Sequence, residues 1–331
     1  MRSFSYLGAD SPEAVLTAQA ETGARILAGG TTLYDLMKLD IETPRHLVDI
    51  TTITGLDDIR SDGDEVVLGA LTKMSDAAAN ADLLRRAPVL AESLSKAASQ
   101  QLRNMATLAG NLLQRTRCPY FRNGAEYPCN KRVPGSGCAA LEGLDRGHAL
   151  FGASSSCRAV YPGDWAVALV ALDATVEVQG PGGTRRIPVA GLHRLPGDTP
   201  HLETVLAPDE MILRIRVPVA KIGQASTYHK IRDRETYAFA LASAAVALDM
   251  EGDTVRQARI ALGGVATRPW RVPAAETALV GRRLDRAAAL DAGRIAFADA
   301  RPGRHNGFKV ELGTEIVADA LMIAAERRSK R

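Results

Sequence analysis

The distribution of cysteine constrains this chain more than any other feature of its sequence. All four cysteines follow the run Thr107-Leu108-Ala109-Gly110-Asn111 within one window, and they stand at Cys118, Cys129, Cys138 and Cys157. The prolines, glycines and polar residues between them break helical and strand periodicity, so the sequence predicts a long loop. A structureless loop of more than about 15 residues inside a compact domain needs a function or a constraint. Four thiolates bound to one inorganic centre would hold this loop in a single conformation.

Several chemistries compete for the four thiols. A zinc site usually gathers its cysteines in close pairs, whereas the gaps here are ten, eight and eighteen residues, which disfavours zinc. Two disulfides would suit a small exported fold, but the N-terminal residues lack the apolar stretch of an export signal. An iron-sulfur cluster tolerates irregular spacing because a flexible chain can reach its four corners. The residues favour a cluster, with disulfides second and four unrelated buried thiols as the simplest alternative.

Charge and hydropathy exclude two classes of partner. The net charge of +3 is the balance of 41 basic and 38 acidic residues, which gives no reason to expect nucleic acid. No apolar run approaches the roughly 18 residues of a membrane helix, so we expect no membrane insertion. Since the chain carries no signal of its own, we expect it in the cytoplasm by default, and in the periplasm if it is exported with a signal-bearing partner.

Two glycine-rich turns are candidate ligand sites. A predicted strand over residues 25 to 28 runs into Gly29-Gly30-Thr31-Thr32, and a predicted helix follows over residues 33 to 38. Glycines let backbone N–H groups approach a phosphate, although such a turn is also common as a plain connection. Gly110 and Asn111, which both tolerate positive φ, form the second candidate.

Periodicity outlines the rest of the chain. It predicts helices over residues 11–24, 75–81, 83–103 and 165–172, and strands over residues 46–50, 65–70, 175–178, 185–189 and 212–218. Residues 191–209 are rich in loop formers. The last third predicts strands over 226–231, 238–249 and 254–264, then helices over 274–279, 284–299 and 311–328, as expected for a separate α+β domain.

These motifs resemble those of the FAD-binding subunits of molybdenum hydroxylases, the xanthine dehydrogenase family. The segment Leu27-Ala28-Gly29-Gly30-Thr31-Thr32-Leu33 is similar to the family's A-G-G-T-x-L flavin pyrophosphate turn. The segment from Thr107 to Leu112 resembles its T-x-G-G-N-[IL] turn, with Ala109 where many members have glycine. Asp164, Lys230 and the motifs at 263–269 and 308–310 follow in family order, so the resemblance runs almost end to end.

The cysteine loop narrows the resemblance. Residues 114–122 and 128–138 look like the insert that holds a 4Fe-4S cluster in the flavin subunit of bacterial periplasmic-type aldehyde oxidoreductases. The 4-hydroxybenzoyl-CoA reductase type also carries a cluster in its flavin subunit. The resemblance therefore implies one 4Fe-4S cluster on Cys118, Cys129, Cys138 and Cys157.

The resemblance also implies a fold. It is an α+β fold, with a two-lobed p-cresol methylhydroxylase-type FAD-binding domain followed by a flavoprotein C-terminal α+β domain. Residues 1–55 would form the N-terminal lobe, residues 56–220 the second lobe with the 4Fe-4S loop insert at about 114–158, and residues 221–331 the C-terminal domain.

The implied cofactor is FAD, bound by residues from both turns and two further positions. The set is Ile26, Leu27, Ala28, Gly29, Gly30, Thr31, Thr32, Leu33, Thr107, Ala109, Gly110, Asn111, Asp164 and Lys230. Residues of both turns would donate to the diphosphate. Asp164 would accept from the flavin or ribose, or would only cap a helix. Lys230 would stabilise the reduced flavin, or would be an ordinary surface lysine.

The sequence contains no nucleophile–base pair and no paired acids, so we assign no catalytic residue. This pattern fits an electron-transfer subunit of a molybdenum-containing aldehyde oxidoreductase, with the molybdenum cofactor on a large partner subunit and a 2Fe-2S centre on a small one. The first alternative is the flavin subunit of another molybdenum hydroxylase, of the N-heterocycle hydroxylase or 4-hydroxybenzoyl-CoA reductase type. A self-sufficient flavin oxidase and a metal-stapled scaffold without activity are the others.

Overall fold

The computed structural model describes residues 1–124, 126–219 and 221–329. The chain begins with a small parallel sheet whose outer strands both pair with a central one. The strands, in spatial order, are Ser5–Gly8, His46–Asp49 and Arg25–Leu27. The first strand was not predicted, because its exposed residues show no alternation of buried and exposed side chains.

Local capping signals set the helices of this N-terminal unit. The helix Pro12–Thr22 begins after Ser11, whose hydroxyl accepts a hydrogen bond from the backbone of Ala14, and ends at Gly23 with a φ of 66°. The helix Leu33–Lys38 follows the Gly-Gly-Thr-Thr turn. Both helices confirm the predictions for this region.

A five-stranded antiparallel sheet occupies the middle of the chain. In spatial order its strands are Ile59–Asp62, Glu65–Gly69, Met211–Pro218, Thr175–Gly180 and Gly183–Pro188. The strand Met211–Pro218 is the last of these in sequence but lies at the centre of the sheet. Residues 70 to 174, including all four cysteines, therefore form one long excursion between two strands of the same sheet.

The helical region before the cysteines differs from the prediction. The predicted helices 75–81 and 83–103 are four shorter ones, Met74–Ala79, Ala81–Arg86, Pro88–Ser95 and Gln100–Arg103. Pro88 disfavours helical backbone at the preceding residue, and Ala87 accordingly has a φ of −152°. Ala98 interrupts the pattern again with a φ of 48°. The apolar periodicity was read correctly as a core face, because Leu83, Leu90 and Leu94 are buried.

The predicted second turn and the predicted loop both contain helix. Gly110 and Asn111 lie within the helix Leu108–Leu112, and neither takes a positive φ. The helix forms here because Thr107, the residue before it, is its N-cap: the Thr107 hydroxyl accepts a hydrogen bond from the backbone N–H of Gly110. Further along, the cysteine region holds the helix Pro119–Arg122 and the 3-10 helix Ala139–Leu141. The remainder of that region is irregular, as predicted.

The last third is a four-stranded antiparallel sheet covered by helices, as predicted. In spatial order its strands are Trp270–Arg271, Thr254–Gly263, Ala242–Glu251 and Ser226–Ile231. The helices are Pro273–Leu279, Arg286–Ala296 and Phe308–Ser329, with the short helices Val189–Leu192 and Lys221–Gln224 before them. No helix within the described part of the chain combines the length and apolar character needed to cross a bilayer.

One buried helix joins the middle of the chain to the C-terminal sheet. The helix Trp165–Ala171 is buried at every residue. It packs against Pro88–Ser95 on one side and against the strands Ala242–Glu251 and Thr254–Gly263 on the other. Because one hydrophobic core includes residues of both regions, the middle and the C-terminal sheet are held together by apolar burial.

Candidate cofactor sites

A cleft of about 610 Å³ opens between the N-terminal unit and the middle of the chain. Small-molecule and cofactor sites typically measure about 300–1,000 Å³. Residues of both sequence-predicted turns line it, namely Ile26, Ala28, Gly29, Gly30, Thr31, Thr32, Leu33, Thr107, Ala109 and Gly110. Two members of the predicted set near these turns, Leu27 and Asn111, do not line the cleft. The structure thus brings together most of two segments about 80 residues apart.

Glycine is required at both positions of the first turn. A side-chain carbon on Gly29 would lie 2.0 Å from the carbonyl oxygen of Met105, so only glycine allows this turn to approach the backbone that leads to Thr107. Gly30 has a φ of 71°, a left-handed conformation that other residues rarely adopt.

The backbone N–H groups of this turn are open to a ligand. Among the described residues, no protein atom accepts a hydrogen bond from the backbone N–H of Gly29, Gly30, Thr31 or Thr32. Four successive donors beside a cleft can bind the oxygens of a phosphate or diphosphate. The chemistry of these donors fits the diphosphate of FAD.

The second segment contributes differently from the prediction. The backbone N–H of Gly110 donates to the hydroxyl of Thr107 at 3.3 Å, and that of Asn111 donates to the carbonyl of Thr107 at 2.8 Å. These donors are therefore engaged within the helix. A side-chain carbon on Gly110 would lie 2.9 Å from the Thr107 hydroxyl. Glycine at this position therefore lets the Thr107 side chain lie close to the helix along the cleft wall. Neither Gly110 nor Asn111 therefore has a free backbone N–H that could donate to a diphosphate.

Asp164 and Lys230 lie together in a buried cluster and do not line the cleft. The Lys230 ammonium contacts an Asp164 carboxylate oxygen at 2.8 Å, and the other oxygen accepts from the Tyr228 hydroxyl at 2.5 Å. Burial raises the pKa of Tyr228 well above its ordinary value, and the Asp164 charge raises it further. Asp164 occupies the N-cap position of its helix as that alternative has it, but its side chain makes no capping hydrogen bond. The assignment of Asp164 and Lys230 to the flavin stays a prediction.

Sequence reasoning missed one wall of the cleft. Residues 201–204 and 206–212, together with Glu42 and Arg115, also line the cleft. A loop-rich stretch of about 20 residues is itself a sign of function, and the range 191–209 showed that sign. Its position beside the cleft depends on the central strand Met211–Pro218, which no local pattern reveals.

The four cysteines line one small, nearly filled cavity of about 10 Å³. None of the four forms a disulfide. The backbones of Cys129 and Cys138 are joined by an isolated antiparallel β-bridge. Around that bridge, the backbone N–H of Asn130 donates to the carbonyl of Gly137 at 2.7 Å. The side chain of Asn130 accepts in turn from the N–H of Gly137 at 2.8 Å. Cysteines that lie far apart in the sequence thus line the same cavity.

Burial makes two of these thiols poor anions in the absence of a positive partner. It raises the pKa of Cys118 to about 12 and that of Cys157 to about 11. Within the described ranges, no three His, Cys, Asp or Glu side chains converge closely enough to hold a single metal ion. The ring Nε2 of His148 lies 3.3 Å from the Cys118 sulfur. The four cysteines therefore line a nearly closed space, and a positively charged centre bound there would stabilise their thiolate forms.

Two family models together match nearly the whole chain. The FAD binding domain in molybdopterin dehydrogenase matches residues 2–220, and the CO dehydrogenase flavoprotein C-terminal domain matches residues 226–324. The chain is 47% identical over 333 residues to the aldehyde oxidoreductase FAD-binding subunit PaoB of Escherichia coli (strain K12), covering 100% of each. It is 30% identical to the carbon monoxide dehydrogenase medium chain of Afipia carboxidovorans, covering 96% of this chain and 93% of that one.

Solved structures show the same architecture. A carbon monoxide dehydrogenase chain from Hydrogenophaga pseudoflava superposes with a TM-score of 0.78 at 28% identity, covering 98% of each chain. The predicted fold class, an FAD-binding domain followed by a flavoprotein C-terminal domain, is therefore confirmed.

Proposed function

We propose that this chain, which belongs to the family of the FAD binding domain in molybdopterin dehydrogenases, is the FAD and 4Fe-4S electron-transfer subunit of a molybdenum-containing aldehyde oxidoreductase. It would receive electrons from a large molybdenum-cofactor subunit and a small 2Fe-2S subunit and pass them to an external acceptor. The aldehyde assignment rests on the 47% identity to a subunit of that name over the full length of both chains. The partner subunits rest on relatives that are named as medium chains.

The observation that carries the proposal is the set of open donors on the Gly29–Thr32 turn beside a cleft of about 610 Å³. Bound there, FAD would supply the chemistry of accepting and releasing electron pairs. The turn would hold the diphosphate through its N–H groups, Gly110 would allow close approach on the second wall, and residues 201–204 and 206–212 would form part of the cleft lining.

The cysteine cavity supports the 4Fe-4S part of the proposal. Free thiols at Cys118, Cys129, Cys138 and Cys157 line one cavity, and their gaps of ten, eight and eighteen residues lack the close cysteine pairs of a typical zinc site. Thiolates are the ligands that iron-sulfur clusters use. A cluster would also replace the packing that the irregular parts of this segment lack.

Three of the carboxylates that line the cleft are held in ion pairs, which favours electron transfer over direct substrate chemistry. Glu42 and Glu203 are bonded to Arg115, and Glu210 is bonded to Arg185. Carboxylates held in ion pairs remain charged and engaged, which makes them poor general bases. A self-sufficient flavin oxidase would need such a base beside the flavin. We therefore prefer the relay, with the flavin oxidase as the alternative to be tested.

We also propose a division of the chain at about residues 55 and 220. The parallel sheet falls within residues 1–55, the five-stranded sheet within 56–220 and the C-terminal sheet within 221–331, which supports these boundaries. Residues 220, 330 and 331 themselves lie outside the described residues.

The flavin released from the purified protein is expected to be FAD and not FMN. The cleft extends across two lobes, from the Gly29–Thr32 turn to residues 201–212, and this extent suits a dinucleotide. Acid release followed by chromatography measures the identity and the amount, which should approach one flavin per chain. Recovery of FMN alone, or of no flavin from well-folded protein, would contradict the assignment of the cleft.

A further inference from the structure

A third cavity, of about 40 Å³, shares lining residues with both the flavin cleft and the cysteine cavity. Leu113 and Glu203 line both this small cavity and the flavin cleft. Lys131 and Cys157 line both the small cavity and the cysteine cavity. The two proposed cofactor sites are therefore neighbours that share a wall.

A network of ion pairs crosses that wall. One carboxylate oxygen of Glu203 accepts from the Lys131 ammonium at 2.8 Å, and the other accepts from Nε of Arg115 at 3.0 Å. Arg115 also donates to Glu42 at 2.5 Å. Lys131 donates a second bond to the carbonyl of Pro200 at 2.9 Å. Glu203 thus bonds one cation on the flavin side and one on the cysteine side.

The network is largely buried and its charges balance. Burial would raise the pKa of Glu203, but the charges of Lys131 and Arg115 lower it below its ordinary value. Burial would lower the pKa of Arg115, but Glu203 and Glu42 raise it. The network thus joins two cationic side chains, Arg115 and Lys131, to the carboxylates of Glu42 and Glu203. Removing one member of such a network leaves an uncompensated charge, so its members hold one another in a single arrangement.

Arg115 also contacts the cysteine segment through an aromatic ring. Its guanidinium lies 4.7 Å from the centre of the Phe121 ring. Phe121 is fully buried beside Cys129 in a small apolar cluster that also contains Leu36, from the helix after the glycine turn. A shift of Arg115 would therefore reach the helix that follows Cys118 as well as the segment that carries Lys131.

We propose that Glu203 is a positioning residue that couples the flavin cleft to the cysteine segment, so that binding of FAD orders residues 118–138. Both of its carboxylate oxygens are engaged by Arg115 and Lys131, which leaves it no part in proton transfer. The coupling is reciprocal by thermodynamic linkage, so order in the cysteine segment also strengthens FAD binding. The inference rests on the proposed FAD site and is independent of which metal centre the cysteines hold.

Hydrogen–deuterium exchange of the full chain, with and without FAD, tests the coupling. In the unmodified protein, FAD should slow amide exchange in residues 118–138 on the order of tenfold. Glu203→Gln keeps the size of the side chain but removes its charge, and the slowing should fall to less than about twofold. Glu177→Gln is the matched control, because Glu177 is also a half-buried carboxylate bonded to two cations, Arg214 and Arg216, but does not line the cleft. It should keep the full slowing.

A second variant covers the case in which Glu203→Gln no longer binds FAD or does not fold. Lys131→Met removes only the cysteine-side cation and leaves the lining of the flavin cleft unchanged. It should retain FAD and lose the slowing. Full slowing in Lys131→Met or in Glu203→Gln overturns the proposal, as does unmodified protein that binds FAD without any slowing. Unmodified protein that takes up no FAD, seen in its visible spectrum, contradicts the proposed function itself.

Discussion

Replacing Gly29 with alanine is expected to leave the purified protein without FAD. The added carbon would lie 2.0 Å from the carbonyl oxygen of Met105, so the glycine turn and the backbone before Thr107 must move apart. This movement displaces the open N–H groups of residues 29–32 from the cleft. A cost of about 3 kcal/mol corresponds to roughly a hundredfold weaker binding. Flavin content of the purified variant and titration with added FAD measure the effect.

Gly8→Ala is the matched control for this experiment, because a side-chain carbon at Gly8 meets no atom within 4 Å. It should retain FAD at the level of the unmodified protein. Gly30→Val provides a second variant, since the left-handed φ of 71° resists a β-branched side chain. Normal FAD content in folded Gly29→Ala protein would show that the diphosphate is not held at this turn.

Replacing Cys129 with serine is expected to abolish the iron-sulfur centre. Unmodified protein prepared without oxygen should contain iron and acid-labile sulfide at about four each per chain, as a 4Fe-4S cluster requires. The variant loses one of the four ligands, and both contents should fall close to zero. The segment 118–138 should also become more sensitive to protease, because the centre substitutes for a packed core in this segment. Elemental analysis and limited proteolysis measure the two effects.

Ser155→Ala is the control for the cysteine variant, since Ser155 is an exposed residue two positions before Cys157. It should keep its full iron and sulfide content. Two results would reject the cluster: zinc in place of iron in the unmodified protein, or two disulfides found by mass spectrometry of anaerobically prepared protein. Either would return the cysteines to the alternatives that their spacing left open.

The sequence predicted the first half of the flavin cleft because its signals are local. Ser11, Gly23 and the Gly29-Gly30 pair act within a few residues of where they stand, and the helices and turn form as expected. Proline is also local, so the break at Ala87 could have been read from Pro88. The helix at Leu108–Leu112 was not predicted. Its signal is Thr107, whose hydroxyl caps the helix, whereas Gly110 and Asn111 alone are typical of a turn.

The remainder of the site depends on contacts between distant residues. The strand Met211–Pro218 enters the centre of a sheet begun about 140 residues earlier, and this places residues 201–204 and 206–212 beside the cleft. The Asp164–Lys230 pair joins the middle of the chain to the C-terminal sheet. Glu203 is bonded to Lys131 and to Arg115, which lies 88 residues away in sequence. No periodicity or short motif specifies such pairs, so only the fold could reveal them.

The relay of electrons by this chain, without oxidation of substrate on the chain itself, is the proposed function. It is tested most directly by mixing aldehyde, without oxygen, with the isolated flavin-loaded chain and with the complex co-expressed with its partner subunits. The visible absorbance of the flavin is then followed. We predict that aldehyde bleaches the flavin only in the complex and leaves the isolated chain oxidised. Bleaching of the isolated chain as fast as the complex would contradict the relay and establish a self-sufficient flavin oxidase instead.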